Sequence, residues 1–196
     1  MKRSAQITDI LRPLADHPYQ AYLNDSLQVA DVLQWILDQT GPADIRISSF
    51  SISEEFLRRI YFIGRKKLVR SLDIILDHKA TNKTLILWPF IAQTVRRCYL
   101  STNHSKVLLV ENDRWHVAMV TSQNLTRGNR YESGFLTTDP AVFASLREQF
   151  DYIVKNQSVP FHEIFARTVG GDLVPGRHMH QALRDRHYDR RARGGA

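Results

Sequence analysis

The sequence predicts an α/β fold, a mixed β-sheet flanked by helices on both faces. Two observations carry that prediction. Short runs rich in Val, Ile and Leu alternate along the chain with longer segments of helical periodicity. Two of those runs are separated only by a polar loop, which asks for an antiparallel hairpin in the same sheet.

Taken in chain order, "SLQVADVLQWILDQTG" (26–41) spaces Leu27, Ala30, Val32, Leu33, Ile36 and Leu37 along one helix face, with Ser26 as expected N-cap and Gly41 as terminator. "DIRISSF" (44–50) alternates as a strand does. "SEEFLRRIYFIGRKK" (53–67) reads as a helix capped by Ser53, with Glu54 and Glu55 in the first turn, where the helix dipole favours acids. "SLDIILD" (71–77) is a second strand, and residues 82–93 read as a short helix interrupted at Pro89. Four further strands follow at 94–101, 105–111, 114–121 and 131–137. "PAVFASLREQFDYIVKN" (140–156) is a helix with Pro in its first turn. The expected organisation is an N-terminal extension (1–25), a single folded domain (26–165) and a basic, weakly ordered tail (166–196).

A chain of 196 residues, 43% hydrophobic, can build one well-cored domain and barely two. Lys and Arg outnumber Asp and Glu by 27 to 20, a formal charge of +7 that favours a polyanionic partner such as nucleic acid or an anionic lipid surface. Cys98 is the sole cysteine, which excludes an intrachain disulfide and a Cys-rich zinc site and fits a reducing compartment. The first residues place Asp9, Arg12 and Pro13 where a secretory signal needs an apolar stretch. The most apolar window, "TLILWPFIA" (84–92), is too short to span a bilayer. The expectation is a soluble cytoplasmic protein with no membrane partner.

The stretch "NHSKVLLV" (103–110) carries the chemistry. His104 and Lys106 are two apart on a strand, so both point to one face. A Lys near a core costs several kcal/mol unless an anion meets it. If "ENDR" closes the hairpin with Val110 opposite Trp115, then Lys106 faces Met119 and His104 faces Thr121, at the end away from the loop. The second strand runs out there into "TSQNLTRGN", which puts Ser122 and Asn124 beside His104 and Lys106. Such a cluster suits a phosphodiester. A neutral imidazole can attack phosphorus, while an ammonium, a hydroxyl and an amide neutralise or hydrogen-bond the phosphoryl oxygens. The imidazole needs an orienting acceptor on its other nitrogen, and Glu132 is the nearest acid.

These residues resemble the phospholipase D superfamily motif, H-x-K-x4-D followed by G-S-x-N. Here it stands as His104-Ser105-Lys106, four residues, Glu111, then Thr121-Ser122-Gln123-Asn124. "SQNLTRGNRYESG" is similar to the continuation in nuclease-type members and places the orienting acid at Glu132. The resemblance covers roughly residues 26–156. It implies a phospholipase D-like sandwich and a metal-independent reaction through a phosphohistidine, with no cofactor. Glu111 replaces Asp, Thr121 replaces Gly, and the hairpin is longer than the pattern. Glu111 falls at the loop end, roughly 20 Å from His104 at ~3.3 Å per residue, so it is expected to serve folding more than catalysis. Thr121 removes the close backbone approach that Gly permits.

"RRIYFIGRKKLVR" (58–70) gathers Arg58, Arg59, Arg65, Lys66, Lys67 and Arg70 without an acid. It reads either as a solvated helix face or as a phosphate-binding surface. His78 is a lesser candidate for the site; the "HMH" at 178–180 reads as polar tail rather than metal site; Trp35, Trp88 and Trp115 are expected in the core. Three functions remain open: a nuclease-type phosphodiesterase on DNA or RNA, a catalytically silent nucleic-acid-binding module, and a phospholipid-processing enzyme. In-line displacement needs one group to attack and another to protonate the leaving oxygen. A single H-x-K therefore points to a homodimer that brings two copies of His104 to one phosphate.

Overall fold

The computed structural model describes residues 6–128 and 130–169. The chain order is α1 (Ile7–Ile10), β1 (Tyr19–Asn24), α2 (Val29–Thr40), β2 (Ala43–Ser49), α3 (Glu54–Arg65), β3 (Val69–Asp77) and a 3₁₀ turn (His78–Ala80). Then come α4 (Thr81–Thr94), β4 (Arg97–Ser101), β5 (Val107–Glu111), β6 (His116–Thr121), β7 (Glu132–Thr137), α5 (Pro140–Asn156), β8 (Ser158–Pro160) and α6 (Phe161–Val169). Among the described residues the eight strands form one mixed sheet in the order β1-β7-β6-β5-β2-β3-β4-β8. Strands β2, β3 and β4 run parallel and every other neighbouring pair is antiparallel.

Both faces are covered, as expected, and the alternation along each strand shows how. Leu72, Ile74, Leu76, Leu108, Val110, Val117 and Met119 join the larger core beneath α2, α3, α4 and α6. Their neighbours Ile75, Leu109 and Ala118 face the other way, against Phe143 and Phe150 of α5. Cys98 is buried in the larger core, and burial pushes its thiol up to about 12, which removes it as a nucleophile near neutral pH.

Several local expectations are corrected. Helix α2 starts after Gln28, whose backbone N–H donates to Asp31. Ser26 instead donates to Asn24 Oδ1 from both its backbone N–H and its hydroxyl, each at 2.7 Å. Ser53 does cap α3, accepting from Phe56 N at 3.3 Å, and Gly41 closes α2 at φ +77°. Helix α4 runs through Pro89 without a break. Its neighbours are held by packing, Trp88 against Phe161 with ring centres 4.9 Å apart and Phe90 against Tyr61, which offsets the missing ladder bond. The hairpin pairs Val110 with Val117, not Trp115. Asn112 Oδ1 accepts from Arg114 N and Trp115 N, both at 3.0 Å, an Asx turn that draws Trp115 into the loop. A shift of two residues keeps every side chain on its face. Residues 19–24, read from the sequence as part of an extension, form the edge strand β1, and β8 and α6 also went unforeseen. The "HMH" stretch and nearly all of the tail lie outside the described residues.

Strand direction decides what gathers where. The carboxyl ends of β2, β3, β4, β6 and β1 lie on one edge of the sheet, with the amino ends of β5 and β7. Ser49, Asp77, the segment before Val107, the segment after Thr121, and Glu132 therefore share that edge. In α/β sheets this carboxyl edge is where ligands bind.

Gly134 lies opposite Tyr22 in the β1–β7 pairing. A Cβ there would stand 2.3 Å from Tyr22 Cε1 and 2.6 Å from its hydroxyl oxygen. Gly134→Ala is expected to destabilise the fold by about 1–3 kcal/mol, the usual cost of overpacking, as measured by urea unfolding. Adding Tyr22→Leu should recover part of that loss.

Candidate active site

The segment bearing His104 is pinned from below by buried polar groups. Asp77, at the end of β3, accepts from Asn103 N and from Lys79 N, both at 2.7 Å. Asn103 donates from Nδ2 to Ser49 O at 3.0 Å, and its Oδ1 accepts from Ser105 N and Ser105 Oγ at 3.1 and 2.7 Å. The Ser48 and Ser105 hydroxyls are 2.6 Å apart. With Asn103 anchored inside, His104 is turned outward, its ring 5.5 Å from that of Phe50. Asn103 was missed in the sequence. The signal was present in "NHS", an Asx turn in which the Asn side chain accepts from the N–H two residues on.

Lys106 follows on the same face. Its carbonyl accepts from Thr121 N at 3.0 Å, which sets the end of β6 beside it. Lys106 Nζ lies 3.2 Å from His104 Nδ1 and 2.6 Å from His104 O. Since an ammonium only donates, Nδ1 is the acceptor in this contact. Desolvation holds the Lys106 pKa below the ordinary lysine value, and the negative charge of Glu132 acts against that shift.

Ser122 and Glu132 close the edge. The Ser122 hydroxyl donates to Glu132 Oε2 and accepts from Ser133 N at 3.0 Å. Glu132 thus sits among the expected partners, but its hydrogen bond in this state goes to Ser122. Asn124 is turned inward: its Oδ1 lies 3.5 Å from Ser49 Oγ, and it lines a crevice of about 30 Å³ with Ser53, Arg59 and Arg127. The structure therefore brings His104, Lys106, Ser122 and Glu132 to one solvent-open edge and links Asn124 to it through Ser49 and Asn103.

The remaining expected residues divide. Glu111 lies at the far end of β5, where it is paired with Arg46 and with Arg147 at 3.3 Å, in line with a folding role. His78 is buried, with Nδ1 3.2 Å from Ser101 O. Arg58 pairs with Glu54 on its own helix and Arg59 with Asp31. Arg65, Lys66, Lys67 and Arg70 are exposed where α3 turns into β3, at the opposite edge of the sheet from His104. Arg127, unassigned in the sequence reading, is exposed on the site side and pairs with Glu55 at 3.2 Å; Arg130 is exposed in the same loop.

No family model and no curated protein sequence matches the chain. Solved structures do. A phospholipase D family member, Nuc from Salmonella typhimurium, superposes with a TM-score of 0.56 at 17% identity, over 72% of this chain and 97% of its own. The phosphatidylserine synthase of Haemophilus influenzae gives 0.53 at 12%, over 74% of this chain and 41% of its own. TrmBL2, an archaeal chromatin protein whose structure shows DNA binding, gives 0.50 at 12%, over 77% and 58%. The fold is that of the phospholipase D superfamily. Among the described residues no helix is long and apolar enough to cross a membrane.

The coupling between Glu132 and Lys106 has a direct test. Removing the carboxylate charge removes what favours the ammonium, so Glu132→Gln should lower the Lys106 pKa further. The measurement is an NMR titration of the Lys106 side chain, and an upward or absent shift would show that the two groups do not interact.

Proposed function

We propose that the protein is a metal-independent phosphodiesterase that cleaves DNA or RNA through a phosphohistidine on His104. The observation that carries this reading is the meeting of His104, Lys106, Ser122 and Glu132 on one open sheet edge, a nucleophile beside a cation, a hydroxyl donor and an acid. His104 forms a bond to phosphorus as the bond to the leaving oxygen breaks, and a second imidazole gives that oxygen its proton. Water then attacks phosphorus, gives its proton to that second imidazole, and the N–P bond breaks to release a phosphomonoester. Lys106 and Ser122 bind the phosphoryl oxygens. As they turn to the phosphate they release Nδ1 and Glu132, and the carboxylate then accepts a hydrogen bond from the Nδ1–H of the tautomer whose Nε2 attacks. Asn124 and the cations Arg58, Arg59, Arg127 and Arg130 contribute charge and donors along the substrate's path.

A second copy of this chain supplies the second imidazole, so the working unit is a homodimer. Two exposed apolar side chains favour that arrangement. Val120 and Phe135, opposite each other on β6 and β7, are each 45% exposed close to Ser122 and Glu132, on a part of the sheet α5 leaves bare.

A catalytically silent nucleic-acid-binding module is the second reading. Thr121 at the Gly position favours it, since its hydroxyl is tied to Ser133 O at 2.7 Å and its bulk stands beside the phosphate path. So does the likeness to a DNA-binding chromatin protein.

Purified protein with labelled single- and double-stranded DNA and RNA, in excess EDTA, separates these readings, with phosphatidylcholine vesicles as the lipid arm. Cleavage of nucleic acid that His104→Ala abolishes while binding persists is the expected result. Binding without cleavage would leave the silent module, and turnover of phosphatidylcholine alone would make this a lipid enzyme.

Specific activity should fall on dilution, in step with the loss of dimer seen by light scattering. A monomer of undiminished specific activity would overturn the shared site.

A further inference from the structure

The cations at the far edge of the sheet do not belong to the His104 site. A cleft of about 530 Å³ opens there between α3, the start of β3 and the end of α4, lined by Tyr61, Arg65, Arg70, Gln93, Thr94 and Arg96. Lys66 and Lys67 are exposed in the turn between α3 and β3, next in sequence to the lining residue Arg65. The β3 strand separates the two edges. From Val69 to Asp77 it spans roughly 26 Å at ~3.3 Å per residue, so a group bound in the cleft cannot touch His104.

Three features mark the cleft as a built site rather than a solvated surface. First, its cations come from separate elements. The dipole of α3 favours Arg65 and Lys66 at its C-terminus, but Arg70 on β3 and Arg96 after α4 owe nothing to it. Among the described residues no carboxylate pairs with Arg65, Lys66, Lys67 or Arg70, so their mutual repulsion stands until an anion arrives. Arg96 is fixed by Asp73, to which its Nε and one Nη donate at 3.0 and 2.7 Å, leaving the other Nη to a ligand. Second, Lys67 has φ +59°, the only non-glycine positive φ among the described residues. The helix-terminating position it occupies is cheapest with Gly, by about 1 kcal/mol. Third, flat apolar rings stand beside the cations: Tyr61 is 43% and Phe62 60% exposed, with ring centres 5.8 Å apart.

We propose that this cleft is a second strand-binding site, which holds the phosphates and unpaired bases of single-stranded nucleic acid remote from His104. The inference rests on the nucleic-acid reading above and adds a separate place for the strand. Arginines meet the phosphates, and Tyr61 and Phe62 offer stacking faces that only unstacked bases can use. At the ~3.4 Å per nucleotide of a stacked strand the roughly 26 Å between the edges corresponds to about eight nucleotides, and to fewer where the bases are unstacked.

The test uses the full chain and a single strand of about 20 nucleotides, long enough for both edges. With 5-iodouridine in the strand, photo-crosslinks are expected at Tyr61 or Phe62 in the wild-type protein, a result that needs no variant. Arg65→Gln with Arg70→Gln should reduce the log-affinity versus log-salt slope by about 1.4, at ~0.7 per lost single-strand phosphate contact. Tyr61→Ala should weaken binding about tenfold, the loss of one stacked base. Melting curves confirm that each variant is folded. An unchanged slope in the folded double variant, with crosslinks confined to the His104 edge, would overturn the proposal. So would displacement of the strand by polyglutamate with Tyr61→Ala without effect, which would make the cleft an acidic-protein surface. Hydrolysis of bis(p-nitrophenyl) phosphate by the wild-type chain reports on His104 alone, so either reading can fail without the other.

Discussion

Asp77 is a buried carboxylate at the end of a central parallel strand, and the geometry of the edge that carries His104 depends on satisfying it. Two backbone N–H groups, of Lys79 and Asn103, converge on its oxygens. The second comes from the segment that links β4 to β5, so that segment is drawn beneath the sheet edge. Asn103 then finds Ser49 and Ser105, and each bond in the series leaves a buried group unpaired if broken, at about 1–3 kcal/mol apiece. His104 is exposed because its neighbours on both sides are held. The arrangement gives the imidazole a fixed root, with the ring of the half-buried Phe50 beside it.

How much of this could be read in advance depended on burial. Strand β5 was legible as a continuous apolar run because both of its faces are covered, Leu108 and Val110 on one side and Leu109 on the other. Strand β1 was not, since Tyr22 is its only buried residue and Leu23 is 71% exposed. The convergence of His104, Lys106, Ser122 and Glu132 could be read because it follows from strand direction and a period of two. The hairpin register could not, because it turned on one Asn side chain in the loop, and only the evenness of the error spared the site. The basic run 58–70 divides between two edges for a different reason. Twelve helical residues rise roughly 18 Å at 1.5 Å each, so sequence neighbours were carried to opposite edges of the sheet.

The two edges differ in how their charges are balanced. Around His104 the cations have acids close by: Lys106 feels Glu132, Arg59 has Asp31 and Arg127 has Glu55. At the opposite edge the acids nearest the cleft are Asp44, which accepts from the Ser71 hydroxyl, and Asp73. Burial drives the Asp73 pKa up, yet hydrogen bonds from Arg97 and Arg96 outweigh that and hold it below the usual carboxylate value. Its charge is already shared by two guanidiniums, so little of it is left to offset Arg65 or Arg70. An anion approaching either edge meets positive charge, but Arg59 and Arg127 on the His104 side are already ion-paired, whereas Arg65 and Arg70 are not.

The pairing of charges at the His104 edge bears on the phosphodiesterase reading. Lys106 donates to His104 Nδ1 and Ser122 to the Glu132 carboxylate, so on the phosphodiesterase reading the groups that bind the phosphate hold His104 and Glu132 apart. A phosphodiester oxygen is a charged acceptor, so a bond to it from Lys106 joins two ionised partners, whereas the bond to imidazole has only one. The exchange at Lys106 is therefore downhill, and the incoming negative charge offsets the desolvation that lowers the Lys106 pKa. The exchange at Ser122 trades one anion for another and is close to even. On the phosphodiesterase reading, the substrate itself frees Glu132 to accept from Nδ1–H. A module that only bound nucleic acid would need the first exchange and would have no use for the second. The position of Glu132 beside Lys106, on a strand whose register is set by Tyr22 lying across Gly134, is the feature that binding alone leaves unexplained.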